Sequence, residues 1–236
     1  MDCMEGMKQY PDKYFDLAIV DPPYGINIGK QGMGAGGGVA PHKNRSHAQI
    51  GGRGYFGGKK NANRGRQLIN PKIYEAFDDS HPPKAEYFEE LRRVAKNTII
   101  WGGNYFLDNL EQTPCLIVWD KGRRGLNFAD CEIAWTSFKS PSRIFEFLWN
   151  GMLQGDMANK EERIHPTQKP VALYKWLLTN YAKPGDLILD THVGSASSLI
   201  ACEELGFDYV GFEINEKFYQ MATQRINEFN QQVRMF

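Results

Sequence analysis

Two short, almost unbroken apolar runs constrain this chain most. Phe15-Asp16-Leu17-Ala18-Ile19-Val20 ends at Asp21-Pro22-Pro23-Tyr24, and Asp186-Leu187-Ile188-Leu189 ends at Asp190-Thr191-His192-Val193-Gly194-Ser195. Runs this short and this apolar suit parallel strands covered on both faces. Helical spacing alternates with them. Pro82-Pro83 opens a helix to Ala95 with Phe88, Leu91 and Val94 on one side, and Pro170 precedes a stripe of Tyr174, Leu177, Leu178 and Tyr181. Ala196–Leu205 and Asn215 to about Asn230 read as helices. Strands are expected at Thr98–Trp101, Cys115–Trp119 and Asp208–Glu213, and Cys131–Ser137 with Ile144–Trp149 as an antiparallel pair. This rhythm predicts an α/β, doubly wound, mainly parallel sheet. A chain of 236 residues fits one such domain, spanning 1–236.

Ligands of doubly wound sheets bind beyond the carboxyl ends of the strands, where both acidic turns lie. The Asp190–Ser198 turn carries Gly194 and leads into a helix, which suits a cofactor. It contains no G-x-G-x-x-G, which disfavours a nicotinamide or flavin dehydrogenase. Glu213, about 20 residues on, ends the next strand, where an acidic side chain commonly accepts hydrogen bonds from both hydroxyls of a cofactor ribose. A solvated strand-end carboxylate and an ordinary turn glycine are the plain alternative. In Asp21-Pro22-Pro23-Tyr24 two prolines stiffen the backbone and leave its carbonyls as acceptors. A carboxylate, a fixed carbonyl and an adjacent ring are what is needed to hold an exocyclic amino group while its heterocycle stacks. Hydrogen bonds from both N–H groups localise the nitrogen lone pair, which then attacks an electrophilic methyl in line. A Pro-Pro turn ending a core strand is the structural alternative; the Asp and Tyr flanks argue against it.

Charge adds a partner. The net charge is zero, yet residues 22–74 hold nine Lys and Arg, no Asp or Glu, and 13 of the 24 glycines. Such a stretch has high backbone entropy and little to bury, so it reads as a basic loop. On charge alone a solvated insertion is as good an account as a nucleic-acid contact. Its position directly after Tyr24 favours the contact. No apolar run approaches the roughly 18 residues of a membrane span, and Met1–Tyr10 lacks the apolar stretch of a secretory signal. Cys3, Cys115, Cys131 and Cys202 are scattered, so neither zinc nor a disulfide framework is expected. His42, His47 and His81 are too widely spaced to suggest a metal site. The expectation is a cytoplasmic protein without a metal.

Taken together, Asp21-Pro22-Pro23-Tyr24, His165-Pro166-Thr167-Gln168-Lys169-Pro170, Asp190–Ser198 and Gly211-Phe212-Glu213-Ile214-Asn215 resemble the motifs of the S-adenosylmethionine-dependent amino-methyltransferases of DNA. The catalytic motif precedes the cofactor motif, as in their permuted beta group. The resemblance spans nearly the whole chain outside the glycine-rich loop. It implies a Rossmann-like methyltransferase sheet of seven strands in permuted order, S-adenosylmethionine as cofactor, and transfer of its methyl group to adenine in DNA. The base would be swung out of the double helix. Asp21, Pro22, Pro23 and Tyr24 would be catalytic. Asp2, Cys3, Thr167, Gln168, Lys169, Asp190, His192, Gly194, Ser195, Ser197 and Glu213 would bind the cofactor. Double-stranded DNA is the implied partner, and a homodimer and a cognate restriction nuclease are compatible with the group. Asp rather than Ser before Pro-Pro-Tyr favours adenine over the cytosine amino group.

The basic loop, residues 25–70, is then a candidate DNA-binding insertion through Lys43, Arg45, Arg53, Lys59, Lys60, Arg64 and Arg66. Lys121, Arg123 and Arg124 would add a second contact. Residues 136–164 are a short candidate target-recognition region. The turn departs from the family pattern at His192, where Phe is common, and at Ala196, where a second glycine is common. The strand that usually precedes the residue matching Asp2 is missing, so the sheet is expected to lack an edge strand or to borrow one. Pro114-Cys115 suggests a cytosine-ring methyltransferase, but Cys115 begins an apolar strand, which suits a buried structural cysteine. Methylation of RNA or of a protein amide uses the same amine chemistry. A catalytically inactive DNA-binding relative is the non-enzymatic alternative, motivated by His192 and Ala196.

Overall fold

The computed structural model describes residues 1–27, 78–122, 124, 129–150 and 153–233. Seven strands form one mixed sheet, β1 (Phe15–Val20), β2 (Ala95–Trp101), β3 (Leu116–Asp120), β4 (Cys131–Thr136), β5 (Arg143–Glu146), β8 (Leu187–Asp190) and β9 (Asp208–Gly211). Their order is β5-β3-β4-β2-β1-β8-β9. Strand β4 runs antiparallel to both neighbours, and every other pairing in the sheet is parallel. A two-residue hairpin, β6 (Trp149–Asn150) with β7 (Leu153–Gln154), stands apart.

The apolar run of β1 serves both faces. Leu17 and Ile19 join Ile99, Trp101, Ile117, Ile188 and the helices α3 (Val171–Tyr181) and α4 (Ser197–Leu205). Phe15, Ala18 and Val20 pack with α2 (Ala85–Val94) through Phe88, Leu91 and Val94 on the other face. Alternate side chains of one strand therefore enter two cores, and this is why the run contains almost no polar position. Helix α5 (Glu216–Val233) closes the chain, with Phe218 and Ala222 buried.

The chain crosses from β1 to β2 on one side and from β8 to β9 on the other, so the strand order reverses between β1 and β8. The turns that follow these two strands consequently open into one crevice.

The expected pairing of residues 131–137 with 144–149 is not the one formed. Strand β5 lies on the far side of β3 and runs parallel to it, with Val118 opposite Ile144. The intervening segment wraps the start of β3. Thr136 Oγ1 donates to the Cys115 carbonyl at 2.8 Å, Ser142 Oγ donates to the Pro114 carbonyl at 3.2 Å, and Leu116 N donates to Ser142 Oγ at 2.9 Å. A hairpin would leave these groups unpaired. Part of the 136–164 stretch is thus an edge strand of the main sheet. The sheet ends at β9 on its other side. Ahead of β1 lies α1 (Cys3–Met7), capped by Asp2, whose Oδ1 accepts from Met4 N at 2.8 Å and Glu5 N at 3.3 Å. Among the described residues no helix is long and apolar enough to cross a membrane.

Candidate active site

Two carboxylate-bearing turns meet at the switch point. After β1, Asp21 accepts from the Tyr24 hydroxyl through Oδ1 at 2.6 Å and from Lys169 Nζ through Oδ2 at 2.5 Å. Lys169 Nζ also lies 3.2 Å from the Tyr24 hydroxyl and 3.0 Å from Glu132 Oε2. The Glu132 contact is an ion pair. Lys121 Nζ binds the other Glu132 oxygen at 2.5 Å. The Lys169 side chain is 4% exposed. Burial alone would strip its proton, but the Asp21 and Glu132 carboxylates outweigh that and hold the ammonium above its ordinary range. Burial works against ionising Glu132 as well, and the two lysines reverse it, holding the acid down at about 2. Burial, reinforced by Asp21 and Glu132, keeps the Tyr24 hydroxyl protonated well above its usual range, so it donates.

The ring of Tyr24 is seated by glycine. Gly102 has φ +70°, and a Cβ there would fall 2.3 Å from a Tyr24 ring carbon. On the same turn Tyr105 stacks on Tyr24 with centroids 4.9 Å apart and planes at 18°. Gly25 N donates to Asp79 Oδ1 at 2.8 Å and Asn27 N to the Asp79 carbonyl at 2.9 Å. Buried Asp79 thereby joins the two described ends of the basic stretch beside Tyr24.

The second turn is shaped by Asp190, Gly194 and Glu213. Asp190 Oδ1 accepts from His192 N at 2.9 Å, and Ser198 donates to Oδ2. Burial, with Asp21 and Glu213 adding, pushes the Asp190 acid up to about 7. Glu213 accepts from Gly194 N at 2.9 Å and Asn215 N at 2.8 Å, one bond per oxygen. Each oxygen retains acceptor capacity for a ligand hydroxyl. Gly194 and Ala196 both hold left-handed backbone, at φ +52° and +62°. Thr191 links the Tyr87 hydroxyl, at 2.7 Å, to His192 Nδ1, at 2.9 Å. Burial pushes His192 down to about 4, so it is neutral near pH 7. Helix α1 closes this side: a Cβ on Gly6 would lie 2.5 Å from the Phe212 ring. Asp2 belongs to this end, where its charge acts on His192. The Cys3 thiol is pushed up to about 11 by burial and by Asp2, which makes it unreactive.

Other expected cofactor ligands have different partners here. Gln168 is a strut, its side chain accepting from Ile164 N at 2.9 Å and donating to the Glu162 carbonyl at 3.1 Å. Thr167 Oγ1 sits 3.1 Å from His165 Nδ1, and Ser195 Oγ sits 3.1 Å from Ser197 Oγ. Arg225 of α5 donates to the Ser195 carbonyl at 2.7 Å and to Ser197 Oγ at 3.0 Å. Lys169 stands at Asp21. Lys121, expected to meet DNA, is spent on Glu132. Arg124 pairs with Asp120 and its side chain is 74% exposed. Lys43, Arg45, Arg53, Lys59, Lys60, Arg64, Arg66 and Arg123 lie outside the described residues. Glu132, Asp79, Tyr87 and Tyr105 were not foreseen from sequence. Only Glu132 left a trace there, as an acid inside an otherwise apolar strand.

Known proteins resemble this chain in sequence and in fold. Residues 109–224, just under half of it, match a family model described as DNA methylase, of the N6/N4 type. The matched stretch contains His165–Pro170, Asp190–Ser198 and Glu213. The type II methyltransferase M.HpaI of Haemophilus parainfluenzae is 36% identical over 92 residues, 39% of this chain and 28% of that protein. The type II methyltransferase M2.MboI of Moraxella bovis is 23% identical over an alignment covering 99% of this chain and 91% of that protein. The fold matches PvuII DNA methyltransferase, described as cytosine-N4-specific, with TM-score 0.53 and 12% identity over 99% of this chain and 90% of that one. It also matches M1.HpyAVI, solved as a complex with SAM, with TM-score 0.50 and 18% identity over 95% and 96% of the two chains. The sheet is that of the Rossmann-like DNA methyltransferases.

Two outcomes follow from the geometry. Gly102→Ala should push the Tyr24 ring from its seat and cost about 1–3 kcal/mol, from strain at positive φ and the collision; melting curves and a crystal structure of the variant check both. His165, pushed down to about 4 by burial and by Lys169, stays neutral in the folded chain while the unfolded chain takes up a proton below about 6.5. It therefore weakens folding as pH falls from 6.5 towards 4. Asp190 acts in the opposite sense as pH falls below 7. Comparing His165→Gln with wild type isolates the histidine: the variant's denaturation midpoint should fall less steeply through that window.

Proposed function

We propose that this chain transfers a methyl group from S-adenosylmethionine to the exocyclic amino group of adenine in double-stranded DNA. The observation that carries the reading is the meeting of an Asp-Pro-Pro-Tyr turn and a ribose-type carboxylate turn at the adjacent ends of β1 and β8. The residues fit the cofactor. Glu213 keeps one acceptor site per oxygen for the two ribose hydroxyls, and Gly194 presents no side chain. Asp2 and His192 stand at the same end, where the adenine would lie. When bound, S-adenosylmethionine supplies a sulfonium-activated methyl group.

The chain's own residues then act on the base. Tyr24, with Tyr105 stacked on it and Gly102 against its ring, offers an aromatic wall for a flipped base. Asp21 and the Pro22 carbonyl accept the two amino hydrogens and draw the lone pair out of conjugation. That pair forms the new N–C bond as the C–S bond breaks, leaving a neutral thioether, and the amino nitrogen then sheds one proton. No covalent bond to the enzyme forms. Neutral His192 adds no charge there.

The DNA contact is assigned to the basic stretch from Asn27 to Arg66, whose described flanks meet beside Tyr24 through Asp79. Residues 136–164 remain the candidate for target recognition, and dimerisation or a partner nuclease would be compatible with this chemistry.

The test is incubation with S-adenosylmethionine and unmethylated genomic DNA, followed by nucleoside mass spectrometry. N6-methyladenine is expected, and Asp21→Ala should lower its yield by about 100-fold or more. N4-methylcytosine would keep the mechanism and change the base, whereas cofactor binding without any modified nucleoside would sink the reading. Deleting residues 30–64 should weaken DNA binding and flatten its salt dependence; an unchanged slope would remove that stretch from the interface.

A further inference from the structure

The crevice contains more charge than amine methylation requires. Asp21, Lys169, Glu132 and Lys121 form a chain of alternating sign, with contacts of 2.5, 3.0 and 2.5 Å. They come from the turn after β1, the segment before α3, strand β4 and the end of β3. Asp21 and Lys169 would balance each other alone, and a lysine buried to 4% exposure already has a carboxylate in hand. The second carboxylate therefore needs its own explanation.

Methyl transfer supplies one, so the argument rests on the reading above. Attack by the amine deposits a unit positive charge on nitrogen, and Asp21 is the anion beside it. An ammonium bound to Asp21 alone would neutralise that anion and repel the charge that develops. We propose that Glu132 is a positioning residue for the transfer, sharing the Lys169 ammonium with Asp21 so that Lys169 orients Asp21 without fully neutralising it, while Lys121 balances Glu132. Lys121 holds Glu132 from the outer side, its ammonium 5.0 Å from the centre of the Trp119 ring. Lys169 Nζ lies 3.0 Å from Glu132 Oε2, a charge-assisted contact that a neutral amide would weaken.

The groups facing Lys169 are Asp21 and Tyr24 after β1, the Trp101 ring of β2, Glu132 of β4 with Lys121 behind it, and His165 of its own segment; Tyr174 of α3 stands behind Asp21 and Tyr24. Tyr24 and Tyr174 are held well above their usual range, and His165 is down at about 4. Removing one of the two carboxylates that raise Lys169 brings its deprotonation down towards the assay range.

The experiment measures initial rates of tritium transfer from methyl-labelled S-adenosylmethionine to unmethylated genomic DNA, from pH 6 to 10, for wild type, Glu132→Gln and the charge-balanced double variant Glu132→Gln/Lys121→Gln. The single variant should lose about tenfold or more in kcat, keep KM for cofactor and DNA within about threefold, and show an alkaline fall in rate below pH 10 that wild type lacks. The double variant folds without the stranded Lys121 charge and should show the same loss. A Glu132→Gln rate within threefold of wild type, a lower rate without that alkaline fall, or recovery in the double variant would each overturn the proposal. A wild-type chain that transfers no label overturns the methyltransfer reading itself, and the wild-type control separates that failure from the others.

Discussion

Burying a lysine is so unfavourable that its ammonium must be surrounded by anions, and at Lys169 this requirement draws four parts of the chain to one point. The turn after β1 brings Asp21, β4 brings Glu132, the end of β3 brings Lys121, and the segment before α3 brings the lysine itself. Losing one member leaves an uncompensated buried charge, so the strands that carry the set are held in register by electrostatics as well as by backbone pairing. The antiparallel setting of β4 matters here, since it delivers Glu132 to the carboxyl end of a sheet that is otherwise parallel.

The same turn that fixes Asp21 fixes the ring beside it. Tyr24 is tied through its hydroxyl to Asp21 and Lys169, and through its face to the glycine turn that follows β2. Orientation is set before any ligand arrives, which is how a weak nucleophile gains rate without a covalent intermediate. On the other side of the switch point the backbone amides of Gly194 and Asn215 orient the Glu213 carboxylate in the same way.

Much of this was legible in the residues. The two apolar runs announced strands buried on both faces, and the acidic turns at their ends announced the crevice, because both properties are local in sequence. The strand partners of 131–136 and 143–146 were not, since side chains of Thr136 and Ser142 and the carbonyls of Pro114 and Cys115 decide them and no periodicity records such bonds. Lys169 was read as a cofactor ligand from its motif, and its contact with Glu132, 37 residues away on β4, left no local signal in the sequence. Asp79 was invisible for a similar reason: an acid in the short acidic run after a basic stretch says nothing until its carboxylate is seen on Gly25.

Ala196 shows what such a turn tolerates. Its backbone holds φ +62° and ψ 22°, a conformation that costs a non-glycine residue about 1 kcal/mol or more, and its side chain is wholly buried at the start of α4. The surrounding hydrogen bonds, from Ala196 N to the Val193 carbonyl and from Ile200 N to that of Ala196, impose the shape regardless of the residue. The strain is stored in the backbone of the turn, so a glycine at this position should raise stability while leaving the outline that a ligand in the crevice would meet.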